Sequence, residues 1–317
     1  MKRVLSSLLG GAALLSASML AQAETTKLTL MLDWFVNPNH GPLVIAEQRG
    51  YFADQDLEIV MQEPADPSMP AKLVAAKRTD LAVTYQTSLA IDVAADLPLV
   101  VASTLIATPL NTLTVLEKSG IKTMADLKGK KIGIAIAGNE EATLGTMLER
   151  NGVAFDEVQL INVGWALSSS LASGKVDGIW GGLRNFESNQ LELEGYAAKA
   201  FFPEEHGVPA YDELIIVANR DEYNHDAMAR FNQAVELAVQ YIVNHPEEAW
   251  QQFVAYAPDT LDTELNRMAW EDTLTRFALR PAAQDFGRYQ QFSEFMFEKG
   301  VIAKPVATEL FFPAAKD

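Results

Sequence analysis

The sequence predicts an α/β protein of two lobes joined by a hinge, with a helical C-terminal part. Short apolar strands alternate with helices in the first third of the chain, the rhythm restarts after Pro109, and one more strand follows at 213–219. Alternation of this kind is typical of βαβ units and of mainly parallel sheets. From Asn224 onward the apolar residues recur at helical spacing almost to the end of the chain.

The first block opens with a strand and a short helix whose ends carry clear signals. Pro42 lies in the first turn of this helix and Gly50 just past its end, positions that these residues favour. The strands of the block are predicted at 28–33, 57–63, 80–85 and 99–106, and its helices at 43–49, 69–78 and 87–96.

The second block repeats the alternation, and helices alone follow it. Its strands are predicted at 112–117, 131–136, 158–163 and 176–181, and its helices at 124–129, at 140–152 and up to Gly174. In the C-terminal part the helices are predicted to stop at Pro246 and Pro258, because proline cannot continue a helix.

The chain passes between the two blocks twice, near 109–114 and 209–215. We therefore expect lobe I to comprise 24–110 and 213–317, with lobe II inserted at 111–212. Ligands of open α/β sheets bind outside the carboxyl ends of the strands, so two such edges would face each other across a cleft. This arrangement favours a binding protein that closes about a hinge.

The first 23 residues fit a cleaved secretory signal. Lys2 and Arg3 precede an apolar stretch that ends in Ala21-Gln22-Ala23, and we expect cleavage before Glu24. The chain contains no cysteine for a disulfide, a lipid anchor or a thiolate metal site. A periplasmic location is therefore expected. Without the signal the net charge is 23 − 42 = −19 with His neutral, which disfavours nucleic acid and anionic membranes as partners.

Polar and aromatic side chains follow the first predicted strand. Asp33 and Trp34 come at its carboxyl end, and the next loop carries Asn37, Asn39 and His40, all able to hydrogen-bond a polar ring. An indole offers a stacking face for a flat heterocycle, worth roughly 0.5–1.5 kcal/mol beyond the burial of its area. The alternative is that Trp34 belongs to the core and that Asp33 caps the loop.

Tyr85 and Gln86 close the third predicted strand and reach the same edge. Tyr85 is a candidate for the second face of an aromatic sandwich, although a tyrosine at a strand end also serves as packing. In the second block, Asn139 is the second residue of the glycine-led segment GNEEAT (138–143), which opens a predicted helix. Glu140 and Glu141 are expected in the first helical turn, where they complement the helix dipole and repel a phosphate.

Glu187 follows the strand at 176–181 within the segment IWGGLRNFESNQ. Its carboxylate could pair with an amino group and a ring nitrogen of a substituted pyrimidine, or it could lie on a solvated helix face. The four histidines are scattered and show no ligand spacing, so no metal site is expected. The serines at 168–170 lack a GxSxG frame, so the sequence carries no hydrolase signature.

Four segments resemble the thiamine-pyrimidine branch of the periplasmic binding proteins, which includes formylaminopyrimidine-binding proteins and fungal pyrimidine synthases. They are LDWFVNPNHGPLVIAEQRGYF (32–52), EPADPS (63–68), SGIKTMADLKGKKIGI (119–134) and SGKVDG (173–178). The resemblance implies the two-lobed periplasmic-binding-protein fold of type II. It also implies the substrate-binding component of an ABC transporter, acting with permease and ATPase subunits, and we expect a monomer.

The resemblance also assigns roles to residues. It makes Trp34 a stacking platform with Asp33 beside it, puts Asn39 and His40 at the pocket rim, and makes Glu187 the acidic contact to an aminopyrimidine. The segment GGLRNFE departs from the more aromatic form of the family. The expected cargo is formylaminopyrimidine or hydroxymethylpyrimidine; the alternatives are a riboflavin-like ring, a sulfonate or another small metabolite, or a sensory role without transport.

The resemblance also raises the possibility of an enzyme. The fungal synthases use a lysine for pyridoxal phosphate, a histidine consumed as substrate, and a cysteine-rich iron segment. Thr84 stands at the lysine position and Ser88 at the histidine position, and the chain has no cysteine. We therefore expect no enzymatic activity and no cofactor.

Overall fold

The computed structural model describes residues 25–314 and confirms the α/β fold class: two five-stranded sheets are flanked by helices. The predicted signal at 1–23 lies outside the described residues. Within residues 25–314, no helix has both the length and the apolar character needed to span a bilayer.

The strands lie close to their predicted positions, and β9 is an addition. They are β1 (Thr26–Met31), β2 (Leu57–Gln62), β3 (Leu81–Thr84), β4 (Leu99–Ile106), β5 (Asn111–Leu116), β6 (Lys131–Ile134), β7 (Gln159–Asn162), β8 (Gly178–Leu183), β9 (Ala198–Phe201) and β10 (Leu214–Asn219).

The helices include one that was not predicted, α6, and one predicted segment, at 124–129, that forms a short 3-10 turn at Met124–Leu127 instead. They are α1 (Gly41–Gln48), α2 (Pro70–Ala75), α3 (Gln86–Ala94), α4 (Thr143–Glu149), α5 (Leu167–Ala172), α6 (Glu187–Leu193), α7 (His225–Asn244), α8 (Pro246–Tyr256), α9 (Pro258–Leu261), α10 (Glu264–Thr273) and α11 (Phe286–Glu298).

Both sheets are mixed rather than mainly parallel. The strand order is β2-β1-β3-β10-β4 in the first sheet and β7-β6-β8-β5-β9 in the second. The chain enters the second sheet through β5 and returns to the first through β10, and each of these strands pairs antiparallel with both neighbours. A parallel neighbour requires a long crossover connection, whereas a strand reached directly from the other sheet is under no such constraint.

The C-terminal helices pack around the sheets, and they begin either at a side-chain cap or at a proline in the first turn. The side chain of Asn224 accepts the backbone N–H of Ala227 at the start of the 20-residue α7. Pro246 and Pro258 each follow the end of one helix and also occupy the first turn of the next, where their missing N–H costs nothing.

The two sheets place their strand ends toward a shared cleft. The neighbours β1 and β3 are parallel in the first sheet, and β6 and β8 are parallel in the second. A buried apolar cluster contains side chains from both sheets, among them Ala82, Leu113, Ile132 and Ile215, and it also receives Phe292 of α11. Residues that follow the parallel strands of either sheet are thereby brought together.

Candidate functional site

A cavity of about 80 Å³ lies between the two sheets. One water needs roughly 10–15 Å³ on this measure, so the space holds about six waters or one small planar ring. Six of the eight predicted site residues line it, namely Asp33, Trp34, Asn39, Tyr85, Asn139 and Glu187. His40 and Gln86 do not reach its wall.

Asp33 lies in a buried hydrogen-bonding group that orients Tyr85. Its Oδ2 accepts the Tyr85 hydroxyl at 2.6 Å, and its Oδ1 lies 2.9 Å from Nε2 of His40. Because Nδ1 of His40 accepts the backbone N–H of Asn37, at 3.2 Å, the proton of the neutral ring is on Nε2, which donates to Asp33. Burial raises the pKa of Asp33, but the bonds from His40 and Tyr85 outweigh it and hold this pKa below its ordinary value.

His40 was expected at the pocket rim, and the structure places it behind the wall instead. Its side chain is fully buried, and both ring nitrogens are occupied by Asn37 and Asp33. Gln86, which was expected at the same edge, is also buried behind the wall. Its Oε1 accepts the backbone N–H of Asp212, at 2.7 Å, which ties α3 to the segment before β10.

Trp34 is half-buried and belongs to the cavity wall rather than to the apolar core. Its ring centroid lies 4.1 Å from that of Trp165, which comes from the loop between β7 and α5. Phe35 stacks on the same Trp165, with centroids 5.3 Å apart. These three aromatic rings join the two sides of the cleft at its edge.

Asn39 and Asn139 also connect the two sides. Oδ1 of Asn39 accepts the side-chain amide of Asn185, at 2.7 Å, and that amide also donates to Thr273 of α10, at 2.6 Å. Nδ2 of Asn139 donates to Oγ1 of Thr87 at 3.2 Å. These polar contacts span the cleft in this structure, and the contact of Asn39 with Asn185 is buried.

The segment around Asn139 departs from its predicted form. Helix α4 begins at Thr143 rather than at Glu140, so Glu140 and Glu141 precede the helix and do not occupy its first turn. Glu140 is buried, and its Oε2 accepts the backbone N–H of Gly138 at 2.7 Å. The loop is stabilised by this bond rather than by the helix dipole.

Glu187 is buried, with 8% of its surface exposed, so the solvated-face alternative is wrong. It is the first residue of α6, and its Oε2 accepts the backbone N–H of Leu183 at 2.7 Å. Burial raises its pKa to about 7, against the lowering effect of backbone hydrogen bonds. The carboxyl group is therefore near its titration point at neutral pH.

Two polar wall residues, Asn111 and Glu213, were missed in the sequence although they lie in the predicted chain crossings. Oε2 of Glu213 accepts the backbone N–H groups of Leu110, at 2.5 Å, and Asn111, at 2.8 Å. Burial raises the pKa of Glu213 to about 7. Both residues could have been predicted from the sequence, because a segment that crosses from one sheet to the other is expected to border the cleft between them.

Aromatic residues of the second sheet complete the wall. Trp180 on β8 is buried and lines the cavity, as does Phe186 immediately before α6. Between β5 and β8 the register shifts at Gly181, whose φ of +100° favours glycine and whose N–H donates to Oδ1 of Asn111 at 2.9 Å. This β-bulge lies in the cavity wall, where bulges commonly redirect a side chain.

The cavity has an acidic lining. Asp33, Glu187 and Glu213 line it, and no lysine, arginine or histidine occurs among its lining residues. The nearby Arg184 is engaged elsewhere, with two bonds to Glu204 at 2.7 and 3.0 Å. In the described part of the chain, no cluster of three or more His, Asp or Glu residues is arranged to hold a metal ion. The wall is suited to a flat molecule rich in hydrogen-bond donors.

Comparison with known proteins gives a consistent result. A protein of Haemophilus influenzae described as a thiamine biosynthesis protein is 50% identical over 281 residues, which cover 89% of this chain and 90% of that protein. The formylaminopyrimidine-binding protein of Halalkalibacterium halodurans is 33% identical, covering 69% of this chain and 67% of the relative. A 4-amino-5-hydroxymethyl-2-methylpyrimidine phosphate synthase of Candida albicans is 26% identical, covering 80% of this chain and 78% of the synthase.

Among solved structures, the alkanesulfonate-binding protein SsuA of Xanthomonas axonopodis pv. citri, bound to MOPS, is similar with a TM-score of 0.73. The identity is 17%, and the match covers 92% of this chain and all of that one. This likeness shows the periplasmic-binding-protein fold. The NMT1/THI5-like sequence profile matches residues 37–249, more than half of the chain, and the protein therefore belongs to the NMT1/THI5-like family.

Proposed function

We propose that this protein is the substrate-binding component of an ABC transporter and captures an aminopyrimidine precursor of thiamine in the periplasm. The observation that carries the proposal is the cavity wall, which combines aromatic side chains with buried carboxyl groups and contains no basic residue. The formylaminopyrimidine-binding relative supports the class of cargo.

The chemistry of an aminopyrimidine matches this wall. Its ring offers two flat faces to aromatic neighbours such as Trp34 and Trp180. Its amino group donates hydrogen bonds and its ring nitrogen accepts one, so that a carboxyl group near its titration point, such as Glu187, can pair with both. The cargo thus needs no cation from the protein.

A sulfonate cargo is disfavoured by the same residues, although the solved structure with the similar fold binds alkanesulfonate. An anion in this cavity would face Asp33, Glu187 and Glu213 without a lysine or arginine in the wall. Burying the negative charge of a sulfonate without a cation partner is costly, and the negative carboxylates around it increase the cost.

Closure would use the two chain crossings as a hinge. We propose lobe I at 24–110 and 213–317 and lobe II at 111–212, with closure favoured because the cargo contacts both. The contact of Asn39 with Asn185 and that of Trp34 with Trp165 would form as the cleft closes. A closed monomer would then deliver its cargo to the permease and ATPase subunits.

The test is a titration of purified protein with formylaminopyrimidine, hydroxymethylpyrimidine and thiamine, followed by tryptophan fluorescence and calorimetry. We expect a response to at least one of the two precursors. Glu187→Gln should weaken that binding about tenfold or more, since an amide cannot pass a proton to the ring nitrogen and the charge-assisted hydrogen bond is lost. Glu192→Gln, an exposed change on the same helix, is the matched control. No response to any of the three compounds would refute the thiamine-precursor assignment.

The enzyme alternative predicts a different result. The Candida albicans relative is a synthase, whereas this chain has Thr84 and Ser88 where that chemistry would need an amine and an imidazole. A pyridoxal phosphate absorbance in protein purified from cells would overturn the transport proposal in favour of the enzyme.

A further inference from the structure

Glu213 is a buried carboxyl group in the cavity wall with a geometry of its own. Only 3% of its surface is exposed, and it lies immediately before β10, where the chain returns to the first sheet. Both backbone N–H groups that it accepts, those of Leu110 and Asn111, bind Oε2. Its second oxygen, Oε1, accepts neither of these N–H groups, and a carboxylate has about four acceptor positions, so the group has capacity for a further donor even beside the Tyr211 hydroxyl.

No cationic side chain of the described residues is hydrogen-bonded to Glu213. Arg184 lowers its pKa through space, but this guanidinium is bonded to Glu204 and to the carbonyl oxygen of Leu110. The Tyr211 hydroxyl also lowers the pKa of Glu213 through a hydrogen bond. The charges of Glu213 and Glu187 both raise the pKa of Tyr85, so the two carboxyl groups lie near the same tyrosine side chain in the cavity wall.

One aminopyrimidine edge can satisfy only one of these carboxyl groups. Glu187 is the first residue of α6, whereas Glu213 belongs to the second chain crossing, immediately before β10. If the ring pairs with Glu187, Glu213 keeps its protein donors but has no unengaged cation beside it, and burial then disfavours its charged form and raises its pKa to about 7. A side arm on the ring that ends in a donor removes this cost, and a cationic arm does so best.

We propose that Glu213 binds the side arm of the cargo and makes the cavity selective for an arm that ends in a protonated amine over one that ends in a neutral hydroxyl. This inference rests on the proposed function, since it takes the ring to be an aminopyrimidine. Glu213 is a specificity-determining residue, and Glu187 recognises the ring that all such cargoes share.

The experiment compares two probes that differ only in the arm: 4-amino-5-aminomethyl-2-methylpyrimidine and 4-amino-5-hydroxymethyl-2-methylpyrimidine. Calorimetry gives their affinities for the unaltered protein, Glu213→Gln and Glu187→Gln. The unaltered protein should prefer the aminomethyl probe. Glu213→Gln should weaken the aminomethyl probe about tenfold or more and the hydroxymethyl probe by less than about threefold, because a charge-assisted bond is lost only in the first case. Glu187→Gln should weaken both probes equally.

Glu213→Gln retains an oxygen for the N–H groups of Leu110 and Asn111. Its affinity for the hydroxymethyl probe therefore reports whether the site is intact. The unaltered protein supplies a second measurement. Its preference for the aminomethyl probe should shrink as the pH falls from 8 to 6, when Glu213 takes up a proton and the arm keeps its own.

Three outcomes contradict the inference: equal losses for the two probes in Glu213→Gln, no loss for either, or no preference in the unaltered protein. Each of these leaves the proposed function standing as long as either probe binds. Failure of both probes to bind the unaltered protein also contradicts the inference, and it refutes the proposed function only if formylaminopyrimidine fails to bind as well.

Discussion

Replacement of Glu187 by glutamine should stabilise the empty protein at alkaline pH while it weakens cargo binding. A carboxyl group whose pKa is raised on folding holds its proton more tightly in the folded state. Its contribution to stability is therefore fully present below the unfolded pKa and is lost as the pH rises through the folded pKa. For Glu187 the window runs from the ordinary value of 4.5 to about 7.

The size of the effect follows from the two pKa values. A pKa difference of about 2.5, at ~1.36 kcal/mol for each pKa unit, amounts to about 3 kcal/mol of stability lost between pH 4.5 and pH 7. Glutamine has a similar shape and keeps an oxygen for the N–H of Leu183, but it has no proton to lose. The free energy of unfolding of Glu187→Gln should exceed that of the unaltered protein by up to about 3 kcal/mol at pH 8 and by much less at pH 4.5.

The assay is urea denaturation without pyrimidine, monitored by circular dichroism at pH 4.5, 6 and 8. Glu192→Gln, the exposed change on the same helix, should leave the free energy of unfolding within about 0.5 kcal/mol at each pH. If Glu187→Gln destabilises the protein as much at pH 8 as at pH 4.5, the carboxyl group is not held near its titration point and the reasoning is refuted.

Three further changes test the neighbours of the cavity. Trp34→Ala should weaken a ring cargo about fivefold or more in calorimetry through lost stacking; an unchanged affinity would mean that the cargo does not stack on it. His40→Ala should lower the free energy of unfolding by about 2–3 kcal/mol, because it removes a donor from buried Asp33; a urea midpoint equal to that of the unaltered protein would contradict this. Asn185→Ala should open the empty cleft, since it removes the donor to Asn39; small-angle X-ray scattering should show a larger radius of gyration, and an identical radius would rule out a closing role.

Much of the secondary structure was predictable because its signals are local. The strand at 99–106 matches β4 exactly as predicted, and the start of α7 follows the cap at Asn224. The prediction missed β9, a four-residue strand too short to show a clear alternation of buried and exposed residues. It also missed α6, which begins at a buried carboxyl group and has no side-chain cap. Both depend on neighbours that are distant in the chain.

The candidate site could also be predicted only in part. Asp33, Trp34 and Tyr85 could be assigned to one edge, because the residues after neighbouring parallel strands must meet there. No comparable rule gives the direction of a side chain in a 3-10 turn or at the first position of a helix, and for this reason His40 and Gln86 were expected at the wall but lie behind it. The part that each wall residue plays in binding stays a prediction.

The amino-acid sequence alone predicted the α/β class, the two chain crossings and the strand end at which Asp33 and Trp34 lie, since the alternation of strands and helices is a local signal. Only the tertiary structure decided the state of the carboxyl groups. Burial raises the pKa of Glu187 and Glu213 to about 7, whereas the bonds from His40 and Tyr85 hold that of Asp33 low. The three side chains carry the same functional group, and their difference comes from the residues that folding places around them.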